Sequence, residues 1–342
     1  MTLDPSAPLF QLFVGVDIAA ASFAAAWSLP SRPTTPARSF AQSPDGFAAF
    51  QAVLLATEVE PAQTLIVLEA TGSYWITLAV TLHQAGYAVS VVNPAHVHAF
   101  ARSLPRRAKT DALDAQLLTL FAVERVPERW TPPEQVYHEL RQRLLVRDGL
   151  LTMRGQARNQ RHALEQWPVH ITGALKQLDE LVADLDKRIA TLEDELTTVL
   201  RDGAWAESAA LLGSITGIGL VTTAWLLVGT LNFTACRSAE AAAAYAGLVP
   251  LARESGTSVR GRRQIGHAGN ARLRTALYMA TLSAARHNPV IGAQYQRLRA
   301  AGKPAKVARC AAARKLLHLA YAVVRKGERF DPDYQTRGMT RP

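Results

Sequence analysis

Hydrophobic and polar positions in the first third of the chain alternate between the period of a strand and that of a helix. Leu12–Val16 is a short apolar run that ends on Asp17, and Ala21–Leu29 reads as the next strand. Turn chemistry follows from Ser31 to Thr35, with Pro33 inside it. Leu65-Ile66-Val67-Leu68 has the unbroken apolar character of a buried strand; it ends on Glu69 and is stopped by Thr71-Gly72. A helical pattern covers Tyr74 to Ala85, Gly86 ends it, and Ala88–Val92 is a further strand stopped by Asn93-Pro94. Strands alternating with helices imply an α/β layer architecture. Its C-terminal limit is expected near Trp130-Thr131-Pro132-Pro133, a linker signature.

From Glu134 to Arg201 the period is helical. Leu175, Leu178, Val182, Leu185, Ile189, Leu192, Leu196 and Val199 follow at spacings of 3, 4, 3, 4, 3, 4 and 3, an uninterrupted heptad seam with charged residues on the other faces. The seam predicts a coiled coil between chains in preference to an intramolecular hairpin with a helix at Leu140–Leu164. A third segment begins near Ala209. It holds Ser214 to Gly219 between two apolar helical patterns, an Ala-rich helix, a Gly- and Arg-rich loop from Gly247 to Gly269, a helix over Ala271–Ala285 and a basic helix over Lys303–Lys326. The expected domains are 1–130, 131–205 and 206–342, the last mainly α-helical.

Composition narrows the class. Of 342 residues, 49% are hydrophobic and 19% charged, enough apolar surface to exclude a disordered chain. The net charge of +10 is unevenly spread: Leu251 to Pro342 carries 19 basic and 4 acidic residues, whereas residues 1–250 carry 19 basic and 24 acidic. The last quarter is therefore the candidate polyanion face. Two cysteines, Cys236 and Cys310, make neither a disulfide framework nor a zinc site by themselves. The start of the chain lacks the pattern of a signal peptide, and Gly219–Leu231, the most apolar stretch, is too short to span a bilayer. A cytoplasmic protein without membrane contact is expected.

Candidate chemistry collects at element ends. Asp17 and Glu69 stand at the C-terminal ends of two core strands, where open α/β sheets gather reacting groups. Asp111 and Asp114 lie three apart in Lys109-Thr110-Asp111-Ala112-Leu113-Asp114-Ala115; if Thr110 caps a helix, they share a face near its positive end. Acids in a first helical turn also serve simply to compensate the dipole. Four converging carboxylates, however, require a divalent cation, most naturally Mg²⁺. Two strand-end acids followed by such a pair is the order of RNase H-like nucleases. Ser214 to Gly219 resembles a helix-hairpin-helix turn, in which Gly217 and Gly219 let backbone N–H groups approach a phosphate, or serve a tight turn alone. The stretch from Arg253 to Arg263 combines glycines, arginines and three hydroxyls; composition does not choose among Ser255, Thr257 and Ser258 as a nucleophile. Arg260, Arg262 and Arg263 are candidate phosphate clamps, as are Arg272, Arg274 and the cations from Arg297 to Lys326.

With these residues assembled, the sequence resembles the transposases of the insertion-sequence (IS) 110 family. The resemblance rests on Val16-Asp17, Leu68-Glu69-Ala70-Thr71-Gly72, Val92-Asn93-Pro94 and Lys109-Thr110-Asp111 through Asp114-Ala115. It continues in Thr216-Gly217-Ile218-Gly219, Tyr245 to Pro250, Ser255 to Gly261 and Ala268-Gly269-Asn270. It implies an RNase H-like (RuvC-like) N-terminal domain with the four acids Asp17, Glu69, Asp111 and Asp114 around Mg²⁺. It further implies a coiled-coil segment and a C-terminal domain with a nucleophilic serine, which falls on Ser255. The partners implied are donor and target DNA, a structured non-coding RNA that pairs with both, and further copies of the chain in a dimer or tetramer. The expected setting is the bacterial cytoplasm, at the nucleoid. Two rival readings remain at this point: a metal-dependent junction-resolving nuclease with no serine link, and a non-catalytic nucleic-acid-binding scaffold.

Overall fold

The computed structural model describes residues 10–104, 111–255, 259–266 and 268–333, with the backbone alone at 111–112 and 251–264. The chain divides into two compact units, Met1–Pro132 and Pro133–Pro342.

The first unit is built on β1 (Leu12–Ile18), β2 (Ser22–Ser28), β3 (Arg38–Ala41), β4 (Thr64–Glu69) and β5 (Ala88–Val92), in the sheet order β3-β2-β1-β4-β5. β1, β4 and β5 run parallel; on the β1 side β2 pairs antiparallel with β1, and β3 antiparallel with β2. Helices α1 (Pro44–Leu55), α2 (Trp75–Gln84), α3 (Pro94–Arg102) and α4 (Asp111–Arg125) cover both faces. Strand alternation sorts the core accordingly. Leu12, Val14, Val16, Ile66 and Leu68 face Phe47, Phe50 and Leu54 of α1 and Leu78 and Leu82 of α2. Phe13, Leu65 and Val67 face Val97 and Phe100 of α3 and Leu118, Phe121 and Ala122 of α4. Ser43 and Asn93 cap α1 and α3, each followed by a proline whose fixed φ suits the first helical position. Residues 128–130 return to the β5 edge, through Ser90 Oγ to the Glu128 carbonyl at 2.7 Å and Trp130 N to the Val89 carbonyl at 2.7 Å.

The second unit begins with a pair of long helices, α5 (Gln135–Leu164) and α6 (Thr172–Asp202). They form an antiparallel hairpin within one chain: Arg143 pairs with Glu195 at 2.8 Å, Arg147 with Glu193 at 2.6 Å, Arg154 with Asp186 at 2.5 Å, and Arg161 with Asp179. Within this hairpin the seam residues Leu185 and Ile189 are each 5% exposed and Leu196 0%, while Leu175, Leu178, Val182, Leu192 and Val199 are half-buried. The seam expected to pair between chains is thus covered in part by the chain's own α5. A heptad pattern specifies that an apolar stripe needs a partner helix, not which molecule supplies it. The base of the hairpin, at Val136, Leu140, Leu144, Leu196 and Leu200, enters a larger core with α7 (Ala206–Gly213), α8 (Leu220–Thr230) and α9 (Ala239–Tyr245).

After α9 comes a two-stranded antiparallel hairpin, β6 (Leu251–Ser255) with β7 (Val259–Gln264), in the stretch read from sequence as loop. Its strands are Arg-rich with no apolar alternation, so no periodicity announces them. Helices α10 (Ala271–His287), α11 (Pro289–Ala300) and α12 (Ala305–Lys326) complete the unit. No helix of the described residues is long and apolar enough to cross a membrane.

Candidate functional site

Register and strand parity bring the first two acids together. β1 and β4 are parallel neighbours with Val16 opposite Leu68, so Asp17 and Glu69, one position on, stand side by side at about 4.8 Å between strands. Asp17 shares parity with Phe13 and Gly15, and Glu69 with Leu65 and Val67; both therefore belong to the sheet face that α4 covers. Helix α4 lies directly on β1: a Cβ added at Gly15 would stand 2.2 Å from the Thr119 nitrogen and 2.4 Å from the Ala115 oxygen. Phe13 of β1 and Leu118 and Phe121 of α4 share the buried cluster on this face. Asp111 and Asp114 lie in the first turn of that helix. The Asp111 side chain and the whole of Thr110 lie outside the described residues.

Two threonines support this arrangement. Thr71 Oγ1 donates to Glu69 Oε1 at 2.7 Å, which fixes the carboxylate from the loop that follows its own strand. Thr119 is fully buried; it accepts from Gly15 N at 3.1 Å, and its hydroxyl points at the carbonyls of Ala26 and Ala115, both at 2.9 Å. That hydroxyl bridges β1, β2 and α4. Sequence reasoning missed both threonines, since Thr-Gly after a strand reads as a breaker and a lone Thr in a helical pattern carries no signal.

A cleft of about 230 Å³ opens beside Asp17, lined also by Ser22, Arg38 and Ser39. Among the described residues no three His, Cys, Asp or Glu side chains come close enough together to hold a metal. The donor set fits one chemically all the same: Asp17, Glu69 and Asp114 offer only carboxylate oxygens, the ligands of a hard divalent cation.

In the second unit, Ser255 is the last residue of β6, at the turn of the hairpin, and pairs with Val259. Arg260, Arg262 and Arg263 lie on the returning strand, with Arg260 opposite Glu254. The side chains of Ser255 and of these three arginines lie outside the described residues, as do Thr257 and Ser258 altogether. Gly217 adopts φ +101° and packs so closely on α10 that an added Cβ would stand 2.5 Å from Ala284 Cβ; its glycine serves a tight turn. Gly219, the N-cap of α8, has open space in front of it and receives no side-chain cap. Arg272 stacks over Trp225 at 5.5 Å and pairs with Asp148 of α5 at 2.8 Å. Arg274 donates to the carbonyls of Ala268 and Ala246 at 3.0 and 3.4 Å. Both arginines are therefore engaged with protein.

Family comparison adds to this geometry. Residues 14–167 match a family profile of DEDD transposases of the IS110 type, and residues 209–296 match the transposase IS116/IS110/IS902 family. Over 323 residues the chain is 31% identical to the pilin gene-inverting proteins of Moraxella bovis and of Moraxella lacunata, which covers 94% of this chain and 98% of each relative. The chain belongs to the IS110 family of transposases. A shorter match, 33% over 117 residues, links 34% of the transposase to 29% of an insertion element IS110 uncharacterized 43.6 kDa protein of Streptomyces coelicolor. The transposase is thus a DNA transposase/recombinase, with a mixed α/β N-terminal domain consistent with an RNase H-like fold. A domain of this DEDD type points to the use of a divalent metal.

Proposed function

We propose that the protein is an RNA-guided recombinase that moves its own insertion sequence through a covalent link between Ser255 and DNA. Ser255 Oγ attacks a phosphodiester phosphorus; the bond from phosphorus to the 3′ oxygen breaks as the bond to Oγ forms, and the serine proton ends on the released 3′ hydroxyl. The DNA is held as a 5′-phosphoserine until a 3′ hydroxyl from another strand reverses the step. Asp17, Glu69, Asp111 and Asp114 would hold Mg²⁺, which when bound offsets the charge that develops on the phosphate oxygens. Thr71 and Thr119 keep two of the carboxylate-bearing elements in place, and Arg260, Arg262 and Arg263 bring guanidinium groups to the hairpin that carries the serine. Gly219 at the open start of α8, together with the exposed Arg297, Arg299, Lys303 and Lys306, supplies further phosphate contacts to donor DNA, target DNA and guide RNA. The working form is a dimer or tetramer of the chain in the bacterial cytoplasm.

The observation that carries this reading is the side-by-side placement of Asp17 and Glu69 on the sheet face that α4 covers in one unit, with a hairpin whose first strand ends on Ser255 in the other. A second outcome of the same chemistry, inversion of a DNA segment, is favoured by the similarity to the pilin gene-inverting proteins. The test is to trap the protein on a suicide DNA substrate with guide RNA and Mg²⁺, digest it, and map the adduct by mass spectrometry. An adduct on Ser255, lost in Ser255→Ala and kept in Ser258→Ala, is the expected result. Full recombination by Ser255→Ala with no adduct on any residue would replace the serine mechanism by a water-using nuclease.

A further inference from the structure

The hairpin that carries Ser255 leaves the helical core on two short feet, Gly247–Leu248 after α9 and Ala268–Asn270 before α10. A two-stranded hairpin is barely stable by itself, so its orientation is inherited from the way its feet are held. Three contacts join the feet. Asn270 N–H donates to the Tyr245 carbonyl at 2.7 Å. Gly269, at φ +91°, lies so close to Gly247 that an added Cβ would stand 2.6 Å from the Gly247 nitrogen. Arg274, one turn into α10, reaches both sides with one nitrogen, donating from Nη1 to Ala268 at 3.0 Å on one foot and to Ala246 at 3.4 Å beside the other. The guanidinium fills the space in front of Gly247, where a Cβ would stand 2.2 Å from Nη1 and 2.3 Å from the Ala268 oxygen.

We propose that Arg274 is a positioning residue of the strand-exchange reaction: it clamps the feet of the hairpin and so sets where Ser255 meets the phosphodiester, without itself touching DNA. This rests on the reading of Ser255 as nucleophile. The planar fork of a guanidinium suits two carbonyls from different segments. A misplacement of about 1 Å in a reacting group can slow a reaction ~100-fold while leaving substrate binding intact. A phosphate-binding arginine behaves otherwise, because each lost phosphate contact weakens binding and flattens the salt dependence of affinity by about 0.9 in log–log slope.

The experiment uses the full chain with guide RNA and suicide DNA, comparing Arg274→Ala, Arg274→Lys and Gly247→Ala with wild type. Gly247→Ala attacks the same clamp by crowding it and removes no charge. Expected are an affinity for DNA and a salt slope equal to wild type in all three. Adduct formation at saturating DNA should be slowed about 10- to 100-fold in Arg274→Ala and Gly247→Ala, and partly restored in Arg274→Lys. Hydrogen exchange in peptides covering 245–250 and 268–272, measured without nucleic acid, should quicken in Arg274→Ala and Gly247→Ala. Thermal melts establish that each variant folds; if Arg274→Ala does not, the other two carry the comparison. A weaker, flatter-slope Arg274→Ala beside a fully reactive Gly247→Ala would make Arg274 a phosphate contact and overturn the clamp. If wild type itself forms no adduct on Ser255, the nucleophile assignment falls separately. Exchange then judges the clamp alone, and unchanged exchange in both variants overturns it.

Discussion

A carboxylate serves as a ligand only as far as its orientation is held, and at Glu69, proposed above as a ligand, the Thr71 hydroxyl does the holding. Thr71 sits two residues past the strand end, and its Oγ1 reaches back 2.7 Å to Glu69 Oε1. Partners of ligating groups typically account for 10- to 100-fold in metal affinity or activity. Thr71→Val is therefore expected to slow DNA cleavage about ten-fold and to raise the divalent-ion concentration for half-maximal rate, with Thr71→Ser restoring both. A metal titration of the cleavage rate checks this, and a shift in neither quantity would remove Thr71 from the site. Asp17→Asn, Glu69→Gln, Asp111→Asn and Asp114→Asn are each expected to abolish cleavage while retaining the wild-type melting temperature and nucleic-acid affinity. The strand-end placement of Asp17 and Glu69 was legible in the sequence because a charge directly after a buried apolar run stands out. The two threonines were not: Thr119 has partners far along the chain, 104 residues away at Gly15, and Thr71, two residues past Glu69, stands in a Thr-Gly pair that reads only as a breaker.

Elements were legible where burial imposes a period. The strands at 12–18, 64–69 and 88–92 and the helix at 75–84 follow from apolar runs and stop residues. Hairpin β6–β7 was hidden because its two short strands carry no alternation of apolar and polar positions. The α5–α6 hairpin was only half legible, since a seam does not say which helix fills it. Placing aspartate at the buried Leu185 and the half-buried Leu192 should lower the melting temperature of the second unit, because a buried charge costs several kcal/mol unless paired. Sedimentation of that double variant should show the same state of association as the wild type, and a smaller species would mean that the seam also serves contacts between chains. Gly15→Ala should destabilise the first unit by about 3 kcal/mol or more, because the added methyl meets helix backbone that cannot turn aside. A pH effect belongs to the α9–α12 contact. Burial, then Arg314, hold His318 below its ordinary pKa of 6.5, with Lys315 adding and Glu240 opposing. Its buried Nε2 has no hydrogen-bond partner. The unfolded chain thus takes up a proton that the folded chain resists, so stability is present above about pH 6.5 and lost as pH falls toward 5. In His318→Gln the fall in melting temperature between pH 7 and pH 5 should be smaller than in wild type; an equal fall would place the acid sensitivity elsewhere.

On the scale of the whole molecule, charge and chemistry are divided along the chain. Residues 1–250 hold 19 basic and 24 acidic residues, and Leu251 to Pro342 hold 19 and 4. The four acids proposed for the metal all lie in the first stretch, while the proposed serine and most of the surplus arginine and lysine lie in the second. Affinity for nucleic acid should therefore reside in the C-terminal region and be steeply dependent on salt. Arg297, Lys303 and Lys306 are exposed, and each one that meets a phosphate adds about 0.9 to the slope of log affinity against log salt. Replacing all three by glutamine is expected to weaken binding of DNA and RNA and to reduce that slope by about 2 to 3. Arg272 gives the contrast within the same region, since its guanidinium is already spent on Asp148 and Trp225. Arg272→Gln should lower the melting temperature and leave the slope where it is. Filter binding at five or six salt concentrations, run beside thermal melts, separates the two classes of basic residue. A slope that responds to Arg272 but not to the other three would shift the nucleic-acid surface from α11 and the start of α12 to the α5–α10 junction.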